Sequence, residues 1–555
     1  MTKKGLGAGI VSGLVTASLL FAGCSNGSGD SSGAPSASSA PSASNSPQAS
    51  AQPSQGQNTA KASDKLITVK GWAAFTPPTG SEGVSTYNDH LVWKELPKIT
   101  NVKVDWTATT DDYKTQLGLI TASGNLPDLI GRIDPQLAAQ YGSQGALMPL
   151  ESLIKQHAPN LQKILNDNPQ IKAQLTTPEG HIYFFPRLLF DPRTQAFNGF
   201  FIRKDWLDRL GLKSPDTTDD LYNVLKTFKE KDANGNGQKD EVPMAGDPRP
   251  LIWAFGVGSR GNGSANDFFV EGGKIKYGPT DPRFKDALAY INKLYTEGLL
   301  DNEYLGQTSD NYTARFTNEL SGFTYGSHAG VLTRYNSLLE GAGKKPGLAG
   351  VIPPKGPTGE RNILGKHTEI DPGVGVSIAS TSKYGAELVK MMDYFYTKEG
   401  SLLLYFGKEG VTYTMKDGVP AYTDKVAKDP KLSVLNYMNA YVGQVSTWAS
   451  SVIPEHYLAT ISDAGKQSNA VTVANVGNKK PPLLNFTQAE LKEVQGLQRD
   501  IDTFVDENVQ AFIRGKQPIG DYDKFVAGLQ KIGSDKLQKL YETAYERFLS
   551  VKGGK

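Results

Sequence analysis

The stretch KLITVKGW, residues 65–72, predicts the first β-strand of the folded body. A helical stretch follows at 91–96, and VKVDW at 102–106 alternates apolar and polar residues, as a half-buried strand does. Apolar residues at helical spacing over 113–123 then lead through a turn into the buried strand of GNLPDLI, 124–130. Strand and helix alternate in this order, which predicts an α/β fold with a largely parallel sheet flanked by helices.

Downstream segments continue this mixed pattern. GHIYFFPR at 180–187 predicts an aromatic-rich strand, and FFIRKDW at 200–206 predicts a strand that leads into a helix. TTDD at 217–220 precedes Leu221, Leu225 and Phe228 and is typical of a helix start. Further helices are predicted over 282–299, over 383–396 and throughout a C-terminal set that includes 501–513. The chain contains no internal repeat.

The N-terminus predicts secretion. Lys3 and Lys4 precede an uncharged, largely apolar run that ends in small residues at Gly23. This run is short for a membrane-spanning helix. Cys24, the only cysteine of the chain, stands directly after this predicted signal peptide, 1–23. The segment resembles the lipobox of bacterial lipoproteins, although Phe21 stands where that motif prefers leucine. The resemblance implies that acyl chains on Cys24 hold the protein to the outer face of a membrane.

Residues 24–64 consist mainly of Ser, Ala, Pro, Gly and Gln, which predicts a disordered tether because so little apolar surface is available for burial. The body over 65–555 is too long for one compact core and is expected to form two lobes. The chain carries 59 basic and 57 acidic residues, so removal of Lys3 and Lys4 would leave the two in balance. This balance argues against nucleic-acid binding.

DANGNGQKDE at 232–241 places side-chain oxygens at alternating positions around a glycine turn. Such a loop is able to converge oxygens on one hard cation such as Ca²⁺. It begins like an EF-hand loop, but Pro243 stands where the late glutamate of that motif would be. The alternative is a polar surface turn after a helix, because Asn-Gly pairs often form turns.

Four segments resemble bacterial extracellular solute-binding proteins, in particular the large sugar-binding lipoproteins related to alginate-oligosaccharide-binding proteins. They are ASGNLPDLI at 122–130, EGHIYFFPR at 179–187, FIRKDWLDRLGLKSPDTTDDLYNVLKTFKEKDANGNGQKDEVP at 201–243 and FIRGKQPIGDYDKFVAGLQKIGSDKL at 512–537. The segment at 201–243 is the most specific of the four.

This resemblance implies a two-lobed, type II-like periplasmic-binding-protein fold, with a mostly parallel sheet in each lobe and an all-helical C-terminal region. The first lobe is expected to contain mainly 65–190 with a segment near 330–380, and the second mainly 195–325 with 385–555. The protein is then expected to be a monomer on the extracellular face of the membrane. It would capture an oligosaccharide between the lobes and deliver it to an ABC permease.

The resemblance also implies a structural calcium ion in the loop. The positions that match the family's ligands are Asp232, Asn234, Asn236, Gln238 (through its carbonyl), Asp240 and Glu241. The set contains only oxygen ligands, which suit calcium better than zinc.

Sugar sites need flat apolar faces that stack on pyranose rings and planar polar groups that bond hydroxyls or carboxylates. The candidate aromatic residues are Trp72, Tyr183, Trp253, Tyr325 and Trp448. Trp448 lies in a polar loop where a core tryptophan is not expected, and Trp448 and Tyr183 match positions where related sugar-binding proteins carry stacking aromatic residues. The candidate polar residues are Arg187, Arg334 and Asp371. For each aromatic residue taken alone, packing in the core is the alternative.

GVGSRG at 256–261 fits the glycine pattern of dinucleotide-binding loops. The residues after it predict a loop rather than the helix whose N-terminus would bind a pyrophosphate. The motif therefore predicts a flexible, ligand-facing loop instead of a nucleotide site.

An extracellular carbohydrate-active hydrolase or lyase is the main alternative function, because 57 acidic residues leave room for a catalytic carboxylate pair. The body over 65–555 has no G-x-S-x-G elbow and no HExxH motif, and the six histidines of the chain are scattered. A surface adhesin or signalling co-receptor is a third possibility. The sequence favours a binding protein over an enzyme, and plant cell-wall fragments, uronides and host glycans all fit as ligands.

Overall fold

The computed structural model describes residues 65–553 except 79, 111, 259–264, 362–368, 444–446, 476 and 478. The predicted signal peptide, Cys24 and the predicted tether lie outside the described residues, as do residues 259–261 of the glycine motif. None of the described helices is both long enough and apolar enough to cross a membrane.

The described strands are β1 (Ile67–Ala74), β2 (Val102–Thr109), β3 (Leu129–Gly131), β4 (Phe185–Leu188), β5 (Asn198–Arg203), β6 (Phe268–Glu271), β7 (Lys274–Tyr277), β8 (Phe323–Ser327), β9 (Leu348–Val351), β10 (Ile370–Ile378), β11 (Tyr413–Lys416), β12 (Val419–Tyr422) and β13 (Ser450–Ser451).

The described α-helices are α1 (Leu91–Thr100), α2 (Tyr113–Ser123), α3 (Pro135–Ser143), α4 (Glu151–His157), α5 (Pro159–Asp167), α6 (Pro169–Leu175), α7 (Lys204–Leu210), α8 (Thr218–Glu230), α9 (Pro282–Thr296), α10 (Ser309–Thr317), α11 (Arg334–Gly341), α12 (Gly385–Tyr394), α13 (Lys398–Phe406), α14 (Asp424–Ala427), α15 (Val434–Tyr437), α16 (Pro454–Ala459), α17 (Asp463–Asn475), α18 (Gln488–Ile513), α19 (Tyr522–Ile532) and α20 (Ser534–Lys552).

Local sequence explains where several elements begin. The Thr217 hydroxyl accepts the backbone N–H of Asp220, and the Asp220 carboxylate accepts the backbone N–H of Thr217, so a capping box starts α8. In β1, Gly71 lets the Trp106 ring of β2 approach closely, because a Cβ at this position would lie 2.5 Å from that ring.

The larger sheet has the strand order β13-β4-β10-β3-β1-β2. β1 pairs in parallel with β2 and β3, as the sequence predicts, whereas β10 runs antiparallel to both of its neighbours. The second sheet, β8-β5-β9, is antiparallel throughout, so the expected parallel sheet in the second lobe is wrong. Strand direction depends on how the chain re-enters a sheet after long connections, which local periodicity does not reveal.

Two large hydrophobic cores accompany these sheets. The first surrounds the larger sheet with α1, α4, α5, α12 and α13, and the second surrounds β5 and β8 with α8, α9 and the C-terminal helices α18–α20. The mixed α/β fold and the helical C-terminal region expected from the sequence are confirmed.

The later segments are distributed between the cores differently from the expected division. Buried residues between Leu388 and Val452 pack in the first core, whereas Leu332, Tyr335 and Val351 pack beside the second sheet. The cause is β10, which returns the chain to the larger sheet, so the helices that follow it cover that sheet. Apart from Ala173, whose side chain packs in the second core, the described chain passes between the cores three times, after Leu189, after Val351 and after Val452.

Candidate functional site

The parallel strands β1, β2 and β3 end close together, at Ala74, Thr109 and Gly131. A cavity of about 650 Å³ opens at their carboxyl ends, and we call it the strand-end cavity. Its described lining residues are Ala74, Thr76, Thr109, Thr110, Asp112, Tyr113, Lys114, Arg132, Asp134 and Gly373. Ligands of open α/β sheets bind at this edge, and the volume falls in the usual range of small-molecule sites.

Two aspartates of the strand-end cavity also cap helices. Asp112 Oδ1 accepts the Thr115 backbone N–H at 2.8 Å at the start of α2. Asp134 Oδ1 accepts the Leu137 N–H at 2.9 Å at the start of α3. Hydrogen bonds from the Thr115 side chain and backbone hold the pKa of Asp112 below its ordinary value, so this carboxylate is ionised at neutral pH.

Tyr113 supplies an aromatic surface in the wall of the cavity. Its ring stacks on Trp72 with ring centroids 5.0 Å apart, and its hydroxyl donates to the Gly131 carbonyl at 3.0 Å. Burial raises the pKa of Tyr113 far above its ordinary value, so the phenol remains protonated. Contacts on two sides therefore hold the ring in one position, as a stacking surface for a sugar requires.

Arg132 is the residue of the cavity with an unusual backbone. It follows β3 directly and has a φ of 61°, in the left-handed region that non-glycine residues rarely occupy. The side chain is exposed and has no ion-pair partner among the described residues. Backbone strain of this kind is frequent at binding sites, where the surrounding structure holds a side chain towards its ligand.

The sequence predicted Arg187 and Asp371 as separate ligand contacts, but the structure pairs them with each other. Arg187 Nη1 lies 2.6 Å from Asp371 Oδ2, and Arg187 Nε donates to the Tyr405 hydroxyl at 3.3 Å. Only 6% of Arg187 is exposed. In this structure the guanidinium is therefore held inside the protein by its own partners.

Trp448 is a core residue, so the expectation that a core tryptophan is out of place at 448 is wrong. Its exposure is 0%, and its ring centroid lies 4.7 to 4.8 Å from those of Tyr87, Trp93 and Trp106. Its indole N–H donates to the Gly443 carbonyl at 2.7 Å. These aromatic neighbours come from β2, α1 and the turn before α1, so the polar sequence around 448 did not indicate them.

The other predicted aromatic contacts are largely enclosed by protein. Trp253 is 2% exposed in a short 3₁₀ helix, Arg249–Phe255. Tyr183 is 7% exposed and covers Gly142, where a Cβ would lie 2.3 Å from its ring. Trp72 is also 7% exposed and lies behind Tyr113, so it supports the wall of the cavity.

Tyr325 and Arg334 belong to the second sheet and its neighbouring helix. Tyr325 is half-buried on β8 against Phe200, and burial raises its pKa to about 12. Arg334 is exposed at the start of α11. Neither residue is among the described lining of the strand-end cavity.

Four polar lining residues of the strand-end cavity were not predicted from the sequence: Thr76, Asp112, Arg132 and Asp134. All four follow the ends of parallel strands, within a few residues of Ala74, Thr109 or Gly131. Polar residues directly after a predicted parallel strand were the signal that could have identified them.

The loop at 232–241 folds around its own polar groups. Asp232 Oδ1 accepts the backbone N–H groups of Gly235 at 2.7 Å and Asn236 at 3.0 Å, and its Oδ2 accepts that of Gly237 at 2.8 Å. Asn236 Oδ1 accepts the Gln238 N–H at 2.7 Å. The turn requires φ values of 77° at Gly235 and 85° at Gly237, which glycine adopts readily.

The family model for bacterial extracellular solute-binding proteins matches residues 90–401, which is more than half of the chain. The chain belongs to the bacterial extracellular solute-binding protein family. The match includes the loop at 232–241 and the lining residues of the strand-end cavity from Thr109 onwards, and it confirms the resemblance that the sequence motifs indicated.

Two bacterial relatives extend this assignment. This solute-binding protein is 28% identical over 508 residues to the fructooligosaccharide ABC transporter substrate-binding protein FusA of Streptococcus pneumoniae serotype 4, over 84% of this chain and 88% of FusA. It is 27% identical over 376 residues to the lipoprotein LipO of Bacillus subtilis, over 66% of this chain and 71% of LipO.

Solved structures show the same fold. The alginate-binding protein AlgQ2, in a crystal structure without calcium ion, aligns with a TM-score of 0.72 at 28% identity, over 87% of this chain and 99% of AlgQ2. An EF-hand mutant of FusA in complex with fructo-nystose aligns with a TM-score of 0.69 at 23% identity, over 87% of this chain and 99% of FusA.

One buried atom bears directly on a cation in the loop of this solute-binding protein. Glu241 is 7% exposed; its Oε1 accepts the Asn234 backbone N–H at 3.0 Å, whereas its Oε2 is buried without a hydrogen-bond partner. A buried carboxylate oxygen without a hydrogen-bond donor is costly, and a cation beside it would offset that cost. The described residues contain no group of three or more His, Cys, Asp or Glu side chains placed to hold a metal ion, so the carboxylates of Asp232, Asp240 and Glu241 do not converge on one point in this structure. The kind of donor in the loop, carboxylate, amide and carbonyl oxygen, is the kind that Ca²⁺ prefers.

Proposed function

We propose that the protein captures an oligosaccharide in the strand-end cavity and delivers it, unaltered, to an ABC permease. The observation that carries this proposal is the position of the cavity, at the carboxyl ends of β1, β2 and β3 in a solute-binding protein. The cavity combines an aromatic ring, threonine hydroxyls and ionised side chains, which suit a polyhydroxylated ligand. The name of FusA as a substrate-binding protein for fructooligosaccharides supports a sugar as the ligand class.

Closure of two lobes around the sugar is the proposed mechanism. The strand-end cavity is lined, in the described residues, by elements of the first core, so the second core would supply the opposing wall. A sugar that touches both lobes only in the closed form shifts the population towards that form by its differential affinity. The three passages between the cores would act as the hinge.

A structural calcium ion at 232–241 belongs to this proposal. Asp232, Asn234, Asn236, Asp240, Glu241 and the Gln238 carbonyl would hold it. The ion would neutralise the buried carboxylate of Glu241 and keep the loop in one conformation. The crystal structure of AlgQ2 without calcium ion and that of the FusA EF-hand mutant support a calcium site in related proteins.

A lipid anchor at Cys24 would keep the protein on the extracellular face of the membrane. The lipobox-like sequence supports this anchor, as does the lipoprotein relative LipO. Expression of the full chain and of Cys24→Ser in a Gram-positive host tests it. The full chain is expected in the detergent phase and the variant in the medium, and release of both proteins to the medium would contradict the anchor.

Binding without turnover is the decisive test of the function. The protein is titrated calorimetrically with neutral and acidic oligosaccharides, and the sugars are recovered and analysed for shorter products. We expect at least one oligosaccharide to bind with its chain length unchanged. Cleavage at a useful rate would favour the alternative, a hydrolase or lyase. If none of the sugars binds, the result contradicts the proposed function.

A further inference from the structure

The described residues form a second cavity between the two cores, and we call it the hinge pocket. Its volume is about 150 Å³. Gln136 of α3 and Pro372 of β10 line it on the side of the first core. Phe268, Phe486 and Tyr541 line it on the side of the second core. The hinge pocket therefore has a wall from each core, whereas the strand-end cavity is lined only by elements of the first.

The hinge pocket adjoins the strand-end cavity at two places. Gln136 follows Asp134 by two residues at the start of α3, and Asp134 lines the strand-end cavity. Pro372 directly precedes Gly373 on β10, and Gly373 also lines the strand-end cavity. Consecutive Cα atoms are about 3.8 Å apart, so lining residues of the two cavities lie within about 8 Å of each other at both places. A chain of linked sugar rings is long enough to extend from one cavity into the other.

Helix α3 connects this region with the second core. It begins next to Asp134, and in its last turns the Gln140 Oε1 accepts a hydrogen bond from Gln495 Nε2 at 3.1 Å. Gln495 belongs to α18, which packs in the second core. Residues 480–484, at the end of the third passage between the cores, also line the hinge pocket. A ligand that extends along α3 from the first core therefore meets the second core at this pocket.

The hinge pocket offers an aromatic surface in a fixed orientation. The rings of Tyr541 and Phe268 stack with centroids 3.9 Å apart and 12° between their planes. The ring of Phe486 contacts Tyr541 edge-on at 5.2 Å. Proline and leucine side chains add apolar surface, and Gln136 adds an exposed amide. Flat apolar surface beside a few polar groups is what a sugar ring requires.

The size of the hinge pocket limits what it holds. With about 150 Å³ against about 650 Å³ for the strand-end cavity, it has room for one end of a sugar chain and not for a whole oligosaccharide. Continuity with the strand-end cavity favours a further ring of the same chain over a separate ligand. Such a ring would supply the contact with the second core that closure of the lobes requires.

We infer that the hinge pocket is a second subsite, which takes a terminal ring of the oligosaccharide, with Tyr541 as its stacking surface and Gln136 as a polar contact. A chain that reaches this subsite touches both cores, so chain length determines both the affinity and the closure of the lobes. The inference rests on the proposed function, because the rest of the chain occupies the strand-end cavity.

Sugars of increasing length test the inference. The probes are fructo-, galacto- and xylo-oligosaccharides and oligogalacturonides, each of two to five rings, and titration calorimetry gives the affinities. In a series that binds, the longest chain is expected to bind at least about tenfold more tightly than the shortest, because it gains the contacts of the hinge pocket. Small-angle scattering of the same samples is expected to show a more compact protein only with the longer chains.

Two variants locate the effect in the hinge pocket. Tyr541→Leu is expected to lower the ratio of long-chain to short-chain affinity by about tenfold, and Gln136→Ala is expected to lower it in the same direction. Tyr545→Leu, one turn further along α20 and outside the described lining of both cavities, is the matched control. Because Gln136 is exposed, Gln136→Ala keeps the test possible if Tyr541→Leu fails to fold.

The outcomes separate the inference from the function. Sugars that bind with an affinity independent of chain length overturn the inference and leave sugar capture intact. The same holds if Tyr541→Leu and Gln136→Ala both keep the wild-type ratio of affinities. If no sugar of any length binds, the proposed function itself fails.

Discussion

Arg187 on β4 and Asp371 on β10 form an ion pair of 2.6 Å between two neighbouring strands of the larger sheet. The Arg187 side chain is 8% exposed and the Asp371 side chain 19%. Burial on this scale makes each charge depend on the other, because a lone buried ion is costly. The pair therefore joins strands that are far apart in sequence.

Removal of one partner is expected to destabilise the fold. Asp371→Asn keeps the shape of the side chain but leaves the Arg187 charge without its carboxylate, so the free energy of unfolding should fall by about 3 kcal/mol. Urea denaturation followed by circular dichroism measures this. Asp424→Asn, in the exposed Lys428–Asp424 pair, should cost less than about 0.5 kcal/mol. If Asp371→Asn keeps the wild-type stability but no longer binds the sugar, the result contradicts this prediction and shows that Asp371 contacts the ligand.

Trp448→Ala is expected to act on stability rather than on sugar affinity. It removes the ring that contacts Tyr87, Trp93 and Trp106 and leaves a cavity, at a cost of about 3 to 5 kcal/mol. Trp448→Phe should cost less, because part of the ring volume remains. Thermal melts give the stability, and titration below the melting temperature gives the affinity. A stable Trp448→Ala protein that has lost its sugar would show that the ring contacts the ligand.

Arg132→Asn is expected to weaken sugar binding without lowering stability, which is the reverse of the effect expected for Trp448→Ala. Asparagine tolerates the left-handed backbone at this position, so the free energy of unfolding should change by less than about 0.5 kcal/mol. The sugar should bind about tenfold more weakly, since the guanidinium donors are lost. Arg499→Asn, at an exposed position of α18, serves as the control. Equal affinity of Arg132→Asn and wild type would place the ligand elsewhere.

Calcium is expected to raise the melting temperature of the protein by binding to the folded loop. A concentration one hundred times the dissociation constant corresponds to about 2.7 kcal/mol of stabilisation. Glu241→Gln should lose most of this effect, because its carboxylate oxygen is buried and otherwise unpaired. Glu493→Gln, an exposed glutamate of α18, should keep it. Identical melting curves in calcium and in chelator would contradict a calcium site.

The buried histidines are expected to make the fold acid-sensitive. Burial lowers the pKa of His90 and of His328 to about 4, and that of His456 to about 3. Since the unfolded chain titrates near 6.5, it binds more protons than the folded chain below that pH. The stability is therefore complete above about pH 6.5 and falls towards pH 4, by about 1.4 kcal/mol per pH unit for each histidine.

Urea denaturation at several pH values between 7 and 4.5 measures this slope. His328→Gln should remove the contribution of one histidine from the slope, because His328 is 0% exposed and bonded to the Phe197 carbonyl. His157→Gln, at the end of α4, serves as the control for the substitution itself. If the free energy of unfolding of the wild type is constant over this range, the buried histidines do not make the fold acid-sensitive.

Much of the first core could be predicted from local patterns. The helix predicted over 113–123 is α2, and the strands predicted at 65–72 and 102–106 correspond to β1 and β2 within a few residues. These elements have strong periodicity, which depends on the residues themselves. The cavity they form was missed, because Asp112, Arg132 and Asp134 come together only when three separate strands end at one edge.

The sequence by itself determined the order of the elements, the turn at 232–241 and the family, since each depends on short runs of neighbouring residues. The tertiary structure alone decided that β10 runs antiparallel and that Trp448 lies among three aromatic rings. It also decided that Arg187 is neutralised by Asp371. Burial and charge pairing depend on residues hundreds of positions away along the chain, and local periodicity contains no information about them.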